Sequence, residues 1–108
     1  MSNDGWIGFD LDGTTAHYDG WVDEEHIGEP VPAIVALIKK LRAEGEDVRI
    51  FTARVAHGSE IAIRAIQRWC LKHIGEVLPI TNVKDFKMIR LYDDRAVQVE
   101  FNTGRIIQ

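Results

Sequence analysis

Short apolar runs alternate along this chain with two stretches whose apolar residues recur every three or four positions, and that alternation leaves few architectures open. Trp6-Ile7-Gly8-Phe9, Asp47-Val48-Arg49-Ile50-Phe51-Thr52, Leu78-Pro79-Ile80-Thr81 and Met88-Ile89-Arg90-Leu91-Tyr92 have the length and composition of strands. Between the first two, Pro30 and Pro32 open a helix with Val31, Ile34, Val35, Leu37, Ile38 and Leu41 on one face and Lys39, Lys40, Arg42 and Glu44 on the other. Gly45 is its natural stop. Ser59 is the candidate N-cap of a second helix, whose apolar side is Ala62, Ile63, Ile66, Trp69, Cys70 and Ile74. Val97 to Phe101 and Arg105 to Ile107, split by Asn102-Thr103-Gly104, read as a terminal hairpin. The order strand, helix, strand, helix, strand, strand predicts a Rossmann-like, three-layer α/β/α domain with a mostly parallel sheet over residues 1–108.

Ligands of such sheets bind beyond the carboxyl ends of the strands, and the conspicuous polar residues of this chain fall there. Asp10 and Asp12 end the first strand, Thr52 the second, and Asp93 and Asp94 the fourth. Asp10 and Asp12, two residues apart, project to the same side of an extended chain, while Leu11 turns into the core. Gly13 lets the backbone turn sharply beside them. Two like charges about 4 Å apart repel by roughly 4 kcal/mol at an effective dielectric near 20, so acids gathered this way call for a cation. An all-oxygen donor set selects a hard metal, and a few carboxylates plus phosphate and water suit Mg²⁺ better than Ca²⁺. His17, His26, His57 and His73 have no metal-ligand spacing.

Charge is unevenly spread. The net charge is −4, yet the first 38 residues hold eight acids and no Lys or Arg, so all 13 basic residues lie from Lys39 onward. An acidic chain without a basic stripe is poorly suited to stable nucleic-acid binding. A single cysteine, Cys70, cannot form an internal disulfide, no apolar run reaches membrane-spanning length, and the N-terminus lacks signal-peptide features. A reduced, cytoplasmic setting without membrane association is the expectation; composition leaves oligomeric state open.

Asp10-Leu11-Asp12-Gly13-Thr14, Thr52, Lys84 and Asp93-Asp94, in that order at strand ends, resemble the four motifs of the haloacid dehalogenase (HAD) superfamily of phosphohydrolases across residues 6–95. The resemblance implies that Asp10 is the nucleophile forming an aspartyl-phosphate and that Asp12 is the general acid and base. It implies Mg²⁺ held by Asp10, the backbone carbonyl of Asp12 and a carboxylate of Asp93 or Asp94. Thr52, Gly13 and Thr14 would bind phosphoryl oxygens, and Lys84, favoured over Lys87 because it directly follows the third strand, would offset their charge. Arg54 and Arg95 are close enough in sequence to reach substrate or to pair with the acids; the ion pair is favoured for Arg95, with Arg54 evenly divided.

The short gaps between motifs leave no room for a cap domain, which implies a minimal capless member acting on a phosphomonoester. Its substrate is a phosphorylated small molecule or an exposed phosphate on something larger, a nucleotide or nucleic-acid end among the candidates. Loop 15–30, with Tyr18, Trp21 and His26, is the local candidate for a partial cover, unless its aromatics pack as core. Two alternatives stand beside a phosphatase: a phosphoacceptor domain of the response-regulator type and a non-catalytic binding module on the same sheet.

Overall fold

In the computed structural model, which describes residues 4–108, the strand ending on Asp10 lies inside the sheet rather than at its side. β1 (Trp6–Asp10) pairs in parallel with β2 (Asp47–Phe51) on one flank and with β4 (Met88–Tyr92) on the other, and β3 (Ile80–Thr81) adds in parallel to β2. The order is β3-β2-β1-β4. α1 (Pro32–Ala43) and α2 (Glu60–His73) form the connections, a single 3-10 turn spans Ala53–Val55, and β5 (Gln98–Val99) and β6 (Ile106–Ile107) make a separate antiparallel hairpin. None of the described helices is long and apolar enough to cross a membrane.

α1 begins at Pro32 rather than Pro30, with Val31 in the cap position, and stops at the expected glycine; α2 begins at the expected cap. Pro32 occupies the first turn of α1, where its missing N–H costs nothing. Gly45, at φ 85°, ends the helix: its N–H donates to Arg42 O and that of Glu46 to Leu41 O, the paired bonds of a Schellman stop. Ser59 caps α2 by accepting from Ala62 N–H at 3.3 Å. The exposed Glu60–Arg64 pair at 3.4 Å contributes a few tenths of a kcal/mol at most.

The α/β class, the parallel sheet and the Rossmann-like winding are as the sequence predicts, but the three-layer arrangement needs correction. Ile7, Phe9, Val48 and Ile50 share one buried core with Val35 and Ile38 of α1 and with Ile66, Trp69, Cys70 and Ile74 of α2. The two right-handed crossovers step the same way across the sheet, which puts both helices on the same face. The return from β3 to β4 would carry a helix to the other face, yet it comprises only residues 82–87 and no helix forms there. Trp6 covers part of that face instead. Its indole lies over Gly8, where an added Cβ would sit 3.0 Å from Trp6 Cζ3 and 3.2 Å from Leu91 Cδ1. Phe51 stacks beside it with centroids 6.4 Å apart, and the Arg49 guanidinium rests 4.8 Å from the ring. Trp6 Nε1 donates to Asp85 Oδ1 at 2.9 Å, so the indole is buried without an orphaned donor.

Candidate functional site

β1 delivers Asp10 to the carboxyl end of the sheet, and β4 delivers Asp93 and Asp94 beside it. One oxygen from each of these three carboxylates lies within 4.8 Å of the others, a group that could hold a metal ion. The turn after β1 locks the arrangement. Thr15 Oγ1 donates to Asp10 O at 2.7 Å, Thr14 Oγ1 donates to Asp94 Oδ1 at 2.9 Å, and Asp94 N–H donates back to Thr14 Oγ1 at 3.0 Å. Gly13, at φ 89°, passes so close to Asp94 that a Cβ there would meet Oδ2 at 2.8 Å. Any side chain at position 13 would therefore both strain the turn and displace a carboxylate of the group. Thr52, 2 % exposed, accepts from Arg54 N–H at 3.2 Å and starts the 3-10 turn.

Their surroundings shift the Asp10 and Asp94 carboxyls in opposite directions. Burial, a hydrogen bond with Asp94 and the charges of Asp93 and Asp94 push the Asp10 carboxyl up to about 7, against a smaller opposing pull from the Leu11 backbone. Burial also works against charge on Asp94, but the Thr14 hydroxyl, the bond with Asp10, its own N–H and Arg95 together hold it below the usual carboxylate range. Of the two acids, Asp10 is therefore the one that takes up a proton more readily.

That proton gives the cation-free protein an unusual pH dependence. The folded state holds it more tightly than the unfolded chain, so the stability it contributes is complete below about pH 4 and is lost as pH rises through about 7. Screening at this half-exposed group limits the loss to about 1–2 kcal/mol. The lowered groups, Asp85, Asp94 and Glu100, titrate below this window. Urea unfolding without divalent cations is expected to show lower stability at pH 8 than at pH 5, with the difference removed in Asp10→Asn; stability that is flat or rises across that interval in the parent protein contradicts it.

Asp12 faces a different partner. Arg54 Nε donates to its Oδ2 at 2.7 Å and Nη2 to its Oδ1 at 2.9 Å, a two-pronged ion pair with side chains only 5 % and 20 % exposed. The same guanidinium donates to His26 O at 2.8 Å and to Glu24 O at 3.4 Å and lies 5.0 Å from the Trp21 ring centroid. Arg54 thus fastens loop 15–30 to the acid after β1. Of the two roles open to Arg54 in the sequence, the ion pair is the one formed.

A cleft of about 600 Å³ opens over these residues, lined by Asp10, Asp12, Thr52, Arg54, Asp93, Asp94 and Arg95, with Tyr18, Trp21, Glu24, Phe51, Ala53 and His57 completing its walls. Tyr18 and Trp21 line the cleft and do not join the core, whereas His26, expected beside them, is exposed and does not line it. Arg95 makes no ion pair among the described residues, contrary to the expectation for it. Lys84 is also displaced from its expected place: it is exposed in the 82–87 connection and, like Lys87, does not line the cleft. The cause lies in that connection, which turns back toward the amino end of the sheet because Asp85 takes the Trp6 indole and Lys87 O takes the Trp6 N–H at 2.8 Å. His57, which the sequence showed only to lack metal-ligand spacing, lines the cleft; lying five residues after Thr52, its position depends on the 3-10 turn, which no periodicity announces.

No family model and no curated protein matches the chain. Among solved structures, a conserved protein from Bacteroides thetaiotaomicron superposes with a TM-score of 0.64 at 25% identity, over 87% of this chain and 78% of that one. The small Rossmann-like α/β fold is thus one that this chain shares with a solved relative.

Proposed function

We propose that this chain is a Mg²⁺-dependent phosphomonoester hydrolase of the haloacid dehalogenase type, working through an aspartyl-phosphate on Asp10. The observation that carries the reading is the convergence of Asp10, Asp93 and Asp94 at the carboxyl end of one sheet, beside Asp12, Thr52 and the Gly13-Thr14 turn. The donor set fits a hard cation: it is all oxygen, and its charge is unrelieved enough to keep a proton on Asp10 near neutrality. When bound, Mg²⁺ supplies Lewis-acid neutralisation of charge between the carboxylates and a phosphoryl group. Asp10, Asp93 and Asp94 would hold it through side chains, and Asp12 through its backbone carbonyl.

The chain's own residues supply the rest. An Asp10 oxygen forms a bond to phosphorus as the ester P–O bond breaks, and the leaving oxygen takes its electron pair together with a proton from Asp12. Water then attacks phosphorus and gives a proton to Asp12, releasing phosphate and restoring both acids. Thr52 Oγ1 is the candidate donor to the phosphoryl oxygens, whereas the N–H groups of Gly13 and Thr14, expected from the sequence to share that part, donate within the turn to Ala16 O at 2.9 Å and Leu11 O at 3.4 Å. Arg95, which lines the cleft, takes the charge-offsetting part first expected of Lys84.

One observation favours a slower reading. Both oxygens of Asp12 are engaged by Arg54, so Asp12 must leave that fork before it can serve a leaving group or a water. If it stays there, the phosphorylated acid persists and the chain behaves as a phosphoacceptor domain. Turnover of p-nitrophenyl phosphate distinguishes the two. Sustained hydrolysis with Mg²⁺ that stops on EDTA and returns with excess Mg²⁺ is the expected result; hydrolysis indifferent to EDTA contradicts the metal assignment, and a single equivalent released without turnover favours the phosphoacceptor.

A further inference from the structure

Part of the cleft is not used by phosphoryl chemistry. Tyr18, Trp21 and Phe51 stand among its walls there, beside Glu24, Ala53 and His57, and Tyr18 and Trp21 remain 48% and 58% exposed. The loop carrying those two rings is nevertheless well fastened. His17 N–H donates to Glu29 O at 2.8 Å, Asp23 Oδ1 accepts from the N–H groups of Glu25 and His26, and Trp69 Nε1 reaches Gly28 O at 2.9 Å. Arg54, itself fixed by Asp12, sits against the Trp21 ring. Large apolar rings held at fixed positions outside the core, on the wall of a cleft, present a surface for a ligand's own apolar face.

Charge narrows what that ligand carries. Of the loop's five acids Glu24 lines the cleft, and the loop has no Lys or Arg, so the aromatic wall offers no lysine or arginine of its own to additional phosphate groups. Of the cleft's arginines, Arg54 touches the Trp21 ring but its N–H groups are taken by Asp12 and the loop carbonyls of Glu24 and His26, and Arg95 directly follows Asp94. One phosphate at the acid end and an uncharged flat group at the other is the ligand these walls match.

We propose that the ester taken by this cleft is a monophosphate whose alcohol bears an uncharged planar ring, a nucleoside monophosphate being the ordinary compound of that chemistry, with the ring stacked on Trp21 and Tyr18. The reaction at the phosphate end rests on the phosphatase reading; the stacking wall does not. Base stacking on an aromatic side chain is enough for about a tenfold preference.

The test uses the full chain with Mg²⁺ and compares adenosine 5′-monophosphate, adenosine 3′-monophosphate and ribose 5-phosphate, which lacks the ring. One of the two adenosine esters is expected to exceed ribose 5-phosphate by about tenfold in kcat/KM, and the better one identifies the ester position. Trp21→Ala should erase that advantage, read as the ratio of adenosine ester to ribose 5-phosphate and lost through KM, while Trp21→Phe should retain most of it. Calorimetric binding of adenosine 5′-monophosphate and adenosine 3′-monophosphate to Asp10→Asn, with and without Trp21→Ala, separates the two readings. Binding that needs Trp21, with no hydrolysis of any ester, upholds the stacking wall and sinks the hydrolase. Hydrolysis with no preference for the ring and no effect of Trp21→Ala overturns the proposal and leaves the hydrolase standing. A 3′-phosphorylated oligonucleotide processed faster than either mononucleotide also overturns it.

Discussion

Asp10→Asn is expected to lower phosphomonoester turnover by about 10⁴-fold or more, the scale seen when a covalent nucleophile is removed. An amide oxygen is a poor nucleophile, and no other carboxylate is placed to substitute: Asp93 and Asp94 are fixed by contacts of their own, Asp93 to Arg95 N–H and Asp94 to Thr14. The loss should not come from unfolding. Burial and the neighbouring acids oppose the charge on Asp10, so neutralising it removes a cost in the cation-free protein. Urea unfolding at pH 8 should therefore find Asp10→Asn at least as stable as the parent, while the p-nitrophenyl phosphate assay finds it inactive. A variant that retains turnover contradicts the nucleophile assignment, and one that is inactive because it is unfolded contradicts the electrostatics.

Asp12→Asn should lose about 10²–10⁴-fold toward alkyl phosphates, since both proton transfers are assigned to this residue. Its signature is more specific than its size. p-Nitrophenolate leaves without needing a proton, so the first step survives with p-nitrophenyl phosphate while hydrolysis of the aspartyl-phosphate does not. Rapid mixing should show a burst of about one equivalent followed by slow release. Asparagine offers one acceptor oxygen where aspartate offered two, so an Arg54 N–H in a largely buried pair loses its partner, at about 1–3 kcal/mol. Thermal unfolding should register that cost. A variant without a burst, or one that still cleaves alkyl phosphates normally, contradicts the role given to Asp12.

Much of this layout was legible because local rules and tertiary structure agree. The apolar faces of α1 and α2, the Ser59 cap, the Gly45 stop and the β5–β6 hairpin follow from spacing and turn chemistry. Asp10 and Asp12 at the end of β1 follow from an apolar run meeting acids. Three features were not legible, and each depends on contacts between distant residues. The Arg54 fork joins positions 42 apart, and the same side chain could equally have turned toward substrate. Lys84 is drawn away from the cleft by a hydrogen bond between Trp6 and Asp85, 79 residues apart. The missing third layer follows from the brevity of the 82–87 connection once β4 lies on the far side of β1, a strand order that alternation of elements does not specify. The acids of the site are written in residue types at strand ends, whereas the contacts around them are written in which long side chains find each other.

The most direct measurement is chemical trapping during turnover. With substrate and Mg²⁺ present, the protein is quenched in borohydride, which reduces an acyl phosphate to the alcohol, and digested peptides are sequenced by mass spectrometry. Homoserine at position 10, dependent on substrate and on Mg²⁺, is the predicted result. Turnover that proceeds with position 10 unmodified, or with the reduced residue at Asp93 or Asp94, contradicts it.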